Sequence, residues 1–437
     1  MQSLWQATSQ KPHLPTLGGD RKTDVLIVGG GIAGILLAYE LTARGVDCLL
    51  CEADEICSHT TGHTTAKVTV QHGLLYDRTV RTFGKNKAQH YYDAQKKAFR
   101  RLRALAEEFP CDFETRDAWV YSLNDPKKIE NEAAALRSLG CPAVFTRETP
   151  LPFEVAGAVG VPDQAQMHPL KLLYALALDL PIYEHTKIRH LLPDGAETDK
   201  GRIRAKRTVV TTHFPILNKH GAFFLKLYQS RSYVIALSGA EDVKGMYLDE
   251  NEKGLSFRTH GGLLLLGGGT HRTGKAGGGW EPLLRFAKAT YPRARVVGKW
   301  ATQDCMTLDG LPYIGQYARP TPNLYVSTGY GKWGMTNAMA SAMLLSDLLT
   351  GRENPGAALF SPSRSILKPQ LFANAGEALL GLLTPTVKRC PHLGCALQYN
   401  PQEHTWDCSC HGSRFAPDGT LLDGPATDDH PKPLSSE

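Results

Sequence analysis

The 437-residue sequence lacks the features that mark several classes of protein. No stretch reaches 18 consecutive apolar residues, so we expect no membrane-spanning helix. Residues 1–21 contain no apolar core of the kind found in secretory signal peptides, which favours a cytoplasmic location. Charged residues are few, at 21%, and the net charge of +6 is spread along the chain without a basic block. This distribution argues against nucleic acid as a partner.

Cysteine is sparse over most of the chain and crowded near its end. Six of the ten cysteines lie in the first 389 residues, where a cytoplasmic setting favours reduced thiols. The other four fall between Cys390 and His411, a stretch that also contains His392 and His404. This density of sulfur and imidazole ligands predicts a metal site. At about 150 residues per domain, the length predicts roughly three domains.

A glycine-rich turn near the start of the chain predicts a dinucleotide site. A β-branched run at 24–28 precedes glycines at positions 29, 31 and 34, and a helical segment follows at 35–44. In such a turn Gly29 allows a tight bend, Gly31 lets the backbone approach a pyrophosphate, and Gly34 allows helix and strand to pack closely. A second strand ends at Glu52, where a carboxylate can accept a hydrogen bond from a ribose hydroxyl. This acid disfavours NADP and leaves FAD or NAD.

Three later segments bear on the choice between FAD and NAD. Residues 58–69 form a small, hydroxyl-rich loop that can wrap a pyrophosphate, and residues 207–213 form a strand that ends in small polar residues. The third segment, 307–346, contains the sequence LDGLPYIG, a strand, a glycine-rich loop and a helix of small residues. The positive N-terminus of that helix can face a flavin carbonyl.

This order of segments resembles the D-amino-acid oxidase family of flavoproteins, also called the glycine oxidase-like family, over about residues 20–352. The resemblance implies FAD as the cofactor. It also implies that FAD is held by residues of the two glycine-rich segments and the hydroxyl-rich loop: Gly29, Gly31, Ile32, Ala33, Gly34, Glu52, Ser58, Thr60, Thr61, His63, Thr64, Thr65, Gly329, Gly331, Lys332, Trp333, Gly334 and Met335.

The resemblance further implies an α/β fold in which two domains interleave. A Rossmann-like FAD-binding domain would comprise residues 1–70, 152–213 and 300–352. An α+β substrate domain with an antiparallel sheet would comprise 71–151 and 214–299, where residues 223–228 are one of several strand-like runs. A linker with a helical segment (353–383) would lead to a small β-rich domain (384–437).

The cysteine-rich segment has the pattern C-x-H, a 15-residue spacer, then C-x-x-H. It resembles a Rieske iron–sulfur site in a shortened domain. The resemblance implies a [2Fe–2S] cluster with Cys390 and Cys408 on one iron and His392 and His411 on the other. It also implies a possible disulfide between Cys395 and Cys410. A structural zinc site is the alternative, because two thiolates and two imidazoles suit zinc as well.

Together the two resemblances predict an FAD-dependent dehydrogenase that oxidises a small amine or amino acid and delivers electrons through the cluster to an external acceptor, a protein or a quinone. The alternatives are a hydroxy-acid dehydrogenase, a direct oxidase, or an electron-transfer module without a small substrate. The resemblance implies that an arginine orients the substrate, and the candidates are Arg231, Arg258 and Arg272. Tyr233 and His271 are near them in sequence and are expected to line the same cleft. Lys332 is expected near N5 or N1 of the flavin.

Overall fold

The computed structural model describes residues 2–434. The helices in this range are, in chain order, α1 (Leu4–Ala7), α2 (Ile32–Thr42), α3 (Thr60–His63), α4 (Leu75–Phe83), α5 (Lys85–Glu108), α6 (Pro126–Ser138), α7 (Pro169–Ala177), α8 (Phe223–Lys226), α9 (Glu281–Thr290), α10 (Gly334–Leu349), α11 (Ala357–Phe360) and α12 (Pro369–Leu383). Among residues 2–434, no helix combines the length and the hydropathy that crossing a bilayer requires.

The strands of the same range fall into four sheets. They are β1 (Arg21–Val28), β2 (Cys48–Cys51), β3 (Lys67–Val68), β4 (Glu114–Thr115), β5 (Ala118–Ser122), β6 (Val144–Thr146), β7 (Gly157–Val161), β8 (Ala165–Gln166), β9 (Ile182–Tyr183), β10 (Ile188–Leu192), β11 (Gly195–Thr198), β12 (Arg202–Val210), β13 (Leu227–Ser238), β14 (Met246–Asp249), β15 (Ser256–His260), β16 (Leu263–Arg272), β17 (Arg295–Thr307), β18 (Tyr313–Gln316), β19 (Leu324–Thr328), β20 (Leu397–Asn400), β21 (Thr405–Cys408), β22 (Arg414–Phe415) and β23 (Leu421–Asp423).

The first sheet has a parallel centre in the order β9-β2-β1-β12-β19. Antiparallel strands β10, β11 and β18 extend it. Helix α2 is buried on nearly all sides, because β1 and β2 cover one face and α7 and α10 cover others. This explains why its sequence is apolar without a polar face. The strands and α2 together bring the carboxyl ends of β1, β2 and β12 to one edge.

The second sheet has eight strands in the order β17-β13-β16-β15-β14-β5-β7-β6, and only the β14–β5 pair is parallel. Strands β13 and β17 pair along almost their whole length. Because side chains alternate between faces along a strand, this long ribbon presents residues to opposite sides of the sheet. Strands β3, β8 and β4 form a third sheet, of three strands. In the sequence they come where the chain passes from one large sheet to the other.

Two of the predicted domain boundaries disagree with the way the strands pair. β7 falls in the range 152–213 that the sequence assigns to the FAD-binding domain, yet it pairs with β5 in the second sheet. β17 crosses the predicted limit at residue 300. The strand-like run at 223–228 is also different, since Phe223–Lys226 is a helical turn before β13. Short apolar runs look alike in either sheet, so their sequences do not reveal their partners.

The C-terminal sheet, β20-β21-β22-β23, is small and follows α12. Eight buried residues form its apolar cluster, and four of them are Cys390, Cys395, Cys408 and Cys410. A core composed so largely of cysteine gains stability from whatever those thiols bind.

Candidate functional site

The glycine-rich turn follows β1 directly and opens α2. Gly29 has a φ of +110°, in the left-handed region that favours glycine. A Cβ on Gly34 would lie 2.0 Å from the carbonyl oxygen of Gly29, so only glycine allows this close approach of helix and turn. This arrangement places the N-terminus of α2 at the edge of the sheet, where a helix N-terminus can bind an anion.

Beside this turn lies a cavity of about 470 Å³, here called the dinucleotide cavity. It is bounded by the turn, the hydroxyl-rich loop, the end of β12 and the loop before α10. Fourteen of the predicted cofactor-binding residues line it: Gly29, Gly31, Ile32, Ala33, Glu52, Ser58, Thr60, Thr61, Thr64, Gly329, Gly331, Lys332, Gly334 and Met335.

The other four predicted cofactor-binding residues lie elsewhere. Gly34 packs α2 against the turn. His63 borders a smaller groove that Arg231 also lines. Thr65 and Trp333 line a second cavity, described below. These four residues are close in sequence to residues that line the dinucleotide cavity, but they do not line it themselves.

The polar groups of the dinucleotide cavity fit a dinucleotide. Glu52 stands at the end of β2, where its carboxylate accepts hydrogen bonds from the backbone nitrogens of Gly30 (2.6 Å) and Asp54 (3.0 Å). Thr61 Oγ1 accepts a hydrogen bond from the nitrogen of Ile32, the first residue of α2. The N-terminus of the 16-residue helix α10 also reaches the cavity, at Gly334. Two helix N-termini favour a ligand that carries negative charge.

Several lining residues escaped sequence reasoning. Residues 211–214 follow β12 and were not among the predicted cofactor-binding residues, although the polar strand end at 207–213 was a signal for them. Gln229 and Gln303 come from the long ribbon of β13 and β17. Residues 421–424 of the C-terminal sheet line the cavity too. Nothing in the sequence indicates that the tail folds back onto the first sheet.

The four predicted cluster ligands lie on two neighbouring loops of the C-terminal domain. The rings of His392 and His411 are 4.9 Å apart, centroid to centroid, and nearly perpendicular. Cys390 and Cys408 are in side-chain contact, and both are buried. The two loops therefore bring a pair of thiols and a pair of imidazoles together, as the spacing of the motif predicts.

The two imidazoles are oriented alike. His392 Nε2 lies 2.8 Å from Asn218 Oδ1, and His411 Nε2 lies 3.0 Å from the carbonyl oxygen of Phe224. Both Nδ1 atoms are buried and have no hydrogen-bond partner among residues 2–434. Burial lowers the pKa of His392 to about 4, so its ring is neutral at pH 7, which is the form that binds a metal. Two orphaned, neutral Nδ1 atoms fit a metal cluster held at that side.

A tighter group of thiols lies beside this set. The sulfur atoms of Cys395, Cys408 and Cys410 all lie within 4.8 Å of one another. The predicted ligands differ from this group because a two-iron cluster is held from opposite ends and its ligand atoms do not converge on one point. Cys395 and Cys410 have free thiols in the structure. Their disulfide stays a prediction.

The comparisons with known proteins agree with this geometry. The DAO family profile, "FAD dependent oxidoreductase", matches residues 24–348, and the "Rieske [2Fe-2S] domain" profile matches residues 381–433. YhfW of Bacillus subtilis (strain 168), whose name describes it as a Rieske 2Fe-2S iron-sulfur protein, is 34% identical over 97% of this chain and 96% of its own. The chain belongs to the DAO family of FAD-dependent oxidoreductases. It carries a C-terminal Rieske domain, and its cofactors are FAD and a [2Fe–2S] cluster.

More distant members of the DAO family share the fold. Glycine oxidase of Bacillus subtilis (strain 168) is 23% identical over 76% of this chain and 94% of its own. The crystal structure of glycine oxidase from Geobacillus kaustophilus superposes with a TM-score of 0.68 at 20% identity, covering 79% of this chain and 100% of that one. L-proline dehydrogenase from P. horikoshii gives 0.66 at 18% identity, covering 80% and 98%. These structures confirm the mixed α/β architecture.

A second cavity of about 440 Å³, here called the side chamber, adjoins the dinucleotide cavity. The two share seven wall residues: Thr64, Asp304, Tyr330, Gly331, Lys332, Gly334 and Met335. The rest of the chamber is formed by the second sheet, the start of α4 and the segment after β14. A concave chamber of this size can hold a small molecule.

Basic and acidic groups face each other in the side chamber. Lys332 Nζ donates hydrogen bonds to Ser232 Oγ (3.2 Å) and Thr270 Oγ1 (3.0 Å). Burial lowers the pKa of Lys332, and the nearby carboxylate of Asp304 acts in the opposite direction. Burial, together with the cations of Arg258 and Lys332, lowers the pKa of Lys67 to about 7. Lys332 thus lies in the wall between the two cavities.

The three candidate arginines contact other parts of the protein. Arg231 is paired with Glu403 of the Rieske domain, and Arg272 donates to the carbonyl oxygens of Ser409 and Cys410. Arg258 is fully buried and donates to the carbonyl oxygens of residues 65 and 66. Arg231 and Arg272 are therefore engaged by the Rieske domain, whereas Arg258 is bonded through Nη1 alone, and its Nε and Nη2 are buried without a hydrogen-bond partner among residues 2–434.

Tyr233 is the remaining residue that was predicted to contact the substrate. It lines the side chamber, but its hydroxyl lies 3.1 Å from His271 Nε2 and its ring is stacked on that histidine. Trp280 also packs against the tyrosine ring, in an edge-to-face arrangement at 4.8 Å between centroids. Tyr233 and His271 are therefore neighbours, as their sequence positions suggest, and the tyrosine hydroxyl is engaged within the protein.

The wall of the dinucleotide cavity touches the cluster loops directly. Phe214 lines the cavity, and its ring lies edge-on to the rings of His392 (6.3 Å between centroids) and His411 (6.0 Å). Gln303 Nε2 donates to the carbonyl oxygen of Gly412 at 2.9 Å, and Gln229 Nε2 donates to that of His411 at 2.8 Å. One layer of side chains thus separates the cavity from the Rieske loops.

Proposed function

We propose that the protein is a dehydrogenase that oxidises a small amine or amino acid by hydride transfer to FAD and passes the electrons through the [2Fe–2S] cluster to an external acceptor, a protein or a quinone. When bound, FAD supplies a hydride acceptor and the cluster supplies an acceptor of single electrons. The glycine oxidases and the L-proline dehydrogenase named above act on amino acids, which supports this substrate class.

The observation that carries the proposal is the position of Phe214. Its ring lies 6.3 Å from that of His392 and 6.0 Å from that of His411, and the same residue lines the dinucleotide cavity. An oxidase that discharges to O₂ needs no cluster beside its cofactor cavity. The single layer of side chains between cavity and cluster loops supports electron delivery from one to the other.

We assign the residues as follows. The turn at Gly29 and Gly31 holds the pyrophosphate of FAD, and Glu52 binds its ribose. Cys390 and Cys408 hold one iron, and the Nδ1 atoms of the two histidines hold the other. The side chamber binds the substrate and excludes water from it, with Lys332 fixed at the shared wall by its two hydroxyl partners.

An external acceptor would reach the cluster from the exposed side of the first loop. Leu393, which follows the ligand His392, is 41% exposed. Beside it the last turn of α12 leaves Leu380 and Leu383 exposed. Apolar side chains around a redox centre favour a transient protein contact or a quinone.

The test is anaerobic mixing of the purified holoenzyme with a panel of amines and amino acids that includes glycine and L-proline. We expect loss of the oxidised flavin absorbance, followed by a Rieske-type EPR signal. A His411→Leu variant without the cluster is the matched control, and it should show flavin reduction without the second phase. Iron and sulfide analysis of the wild type should find both elements, which distinguishes a [2Fe–2S] cluster from a zinc site.

Other outcomes would replace the proposal. Flavin reduction by hydroxy acids alone would make the substrate class wrong. Flavin reoxidation by O₂ that is faster than cluster reduction would make the protein a direct oxidase. Reduction only by a reduced partner protein, with no response to the panel, would make it an electron-transfer module.

A further inference from the structure

Asp304 lies on β17 where the dinucleotide cavity and the side chamber meet. The residue is 8% exposed, and it lines both cavities. Within the part of the chain that the structure describes, its carboxylate makes neither a hydrogen bond nor an ion pair. An unpartnered buried carboxylate is costly, so a position that keeps one at the junction of two cavities points to a ligand.

The charges around Asp304 are few and identifiable. Burial raises its pKa to about 6, while Lys332 and Arg231 act in the opposite direction. Lys332 comes from the loop after β19 and Arg231 from the paired strand β13. Farther round the side chamber lie Lys67 and Glu252. At pH 7 the carboxyl group is therefore ionised and faces the chamber.

We infer that Asp304 binds the ammonium group of the substrate and accepts a proton from it. The inference rests on the proposed function, because it requires an amine in the side chamber. It assigns to this chain a residue that selects cationic amines and prepares them for oxidation.

The step involves one proton and no electrons. An N–H bond of the substrate ammonium breaks, and an O–H bond forms on a carboxylate oxygen of Asp304. The amine regains its lone pair, which an α-carbon needs in order to release a hydride. After the product leaves, the carboxyl group returns its proton to water. Lys332, held by Ser232 and Thr270, helps to keep Asp304 ionised before the amine arrives.

Other titratable groups of the side chamber are less suited to this role. His72 is buried with Nδ1 2.6 Å from the Tyr91 hydroxyl and Nε2 2.9 Å from the carbonyl oxygen of Thr69. Asp249 accepts a hydrogen bond from the backbone nitrogen of Asn251. Lys67 carries positive charge when protonated and repels an ammonium group.

The first test uses binding alone. Tetramethylammonium chloride is titrated into the oxidised holoenzyme, and flavin absorbance reports binding. We expect the Kd in the wild type to rise as the pH falls through about 6. Asp304→Asn should bind the cation about tenfold more weakly, without this pH dependence. Equal binding by both proteins would overturn the inference.

The second test uses the best amine of the panel. We expect Asp304→Asn to slow anaerobic flavin reduction by about 10²-fold or more and to remove the limb of the pH profile near 6. Asp304→Glu should retain that limb, and Glu241→Gln, an exposed carboxylate of the same domain, should behave as the wild type. FAD content and the visible spectrum check that each variant is folded. An unchanged pH profile in Asp304→Asn would refute the role.

The two tests separate this inference from the proposed function. If no amine reduces the flavin but tetramethylammonium binds in an Asp304-dependent manner, the dehydrogenase proposal fails and the cation site stands. If amines reduce the flavin of Asp304→Asn at the wild-type rate, the dehydrogenase proposal stands and the role of Asp304 fails.

Discussion

Arg231 and Glu403 form a buried ion pair that joins the second sheet to the Rieske domain. Arg231 Nε donates to Glu403 Oε1 at 2.8 Å, and the two side chains are 8% and 7% exposed. Arg414 lies 2.9 Å from the same carboxylate. The pair therefore fixes the small domain against the ribbon of β13 and β17, which also supplies Gln229 and Gln303 to the cavity wall.

Replacing Glu403 with Gln should loosen the Rieske domain. The substitution removes the nearer counter-charge of the buried Arg231 guanidinium and leaves only Asp423, at 3.9 Å. Removing one partner of a buried ion pair typically costs about 3–5 kcal/mol. Hydrogen exchange of β20 to β23 should accelerate, and the thermal midpoint should fall. Glu197→Gln, an exposed carboxylate on β11, is the control. Unchanged exchange in the Glu403 variant would show that the domain is held by other contacts.

Docking of the Rieske domain should also depend on pH through His59. Its Nδ1 lies 3.4 Å from Asp423, and the hydrogen bond to that carboxylate is the main cause that raises the pKa of His59 to about 9. Because the folded pKa is above the ordinary 6.5, the stabilisation is full below about pH 6.5 and is lost as the pH rises through about 9.

The expected alkaline loss is small, since the His59 side chain is 55% exposed and solvent screens the pair. We expect His59→Gln to remove the change in thermal midpoint between pH 6.5 and 9.5. His90→Gln, on an exposed face of α5, should retain it. An NMR titration of His59 with a midpoint near 6.5 would contradict the prediction.

Asn218 should affect the midpoint potential of the cluster without being one of its ligands. Its side-chain oxygen lies 2.8 Å from His392 Nε2, the nitrogen opposite the orphaned Nδ1. Partners of this kind orient a metal-bound imidazole and raise its basicity, and their loss typically costs about 10–100-fold in affinity or activity. Asn218→Leu should retain the [2Fe–2S] spectrum but shift the midpoint potential. Asn86→Leu on the surface of α5 is the control, and equal potentials would rule out this role.

Local signals made much of the site predictable from sequence. The turn at Gly29 and Gly34 is specified by neighbours within a few residues, since strand, tight bend and helix follow directly. The spacing of Cys390 to His411 similarly places all four ligands on two short loops. Fourteen of the predicted cofactor residues therefore line the dinucleotide cavity.

Long-range packing made the rest unpredictable. A bulge between Arg231 and Tyr233 in the pairing of β13 with β16 changes which side chains face the chamber, and no residue type marks it. Arg272 meets the cluster loop only because the tail folds back across 137 residues of sequence. Asp304 was missed for the same reason, because its isolation is a property of its three-dimensional surroundings.

Gly34→Ala should impair FAD retention. The added Cβ would lie 2.0 Å from the carbonyl oxygen of Gly29, so α2 must move away from the turn that faces the dinucleotide cavity. We expect a loss of about 1–3 kcal/mol in unfolding free energy and a lower flavin-to-protein ratio after gel filtration. Gly376→Ala is the control, since that exposed position in α12 has open space around it. Full flavin content in Gly34→Ala would contradict the predicted close approach.

Lys67 should react as an amine at neutral pH. Val68 next to it is buried, so the side chain of Lys67 points to the opposite face, into the side chamber. Burial and the cations of Arg258 and Lys332 lower its pKa to about 7. Acetylation by acetic anhydride, followed by peptide mass spectrometry, should show a midpoint near pH 7 for Lys67, with exposed Lys97 as the internal reference. Arg258→Met should move the midpoint upward, because it removes one of the two repelling charges. A Lys67 profile that follows Lys97 in both proteins would show that the amine is not held in its neutral form by these neighbours.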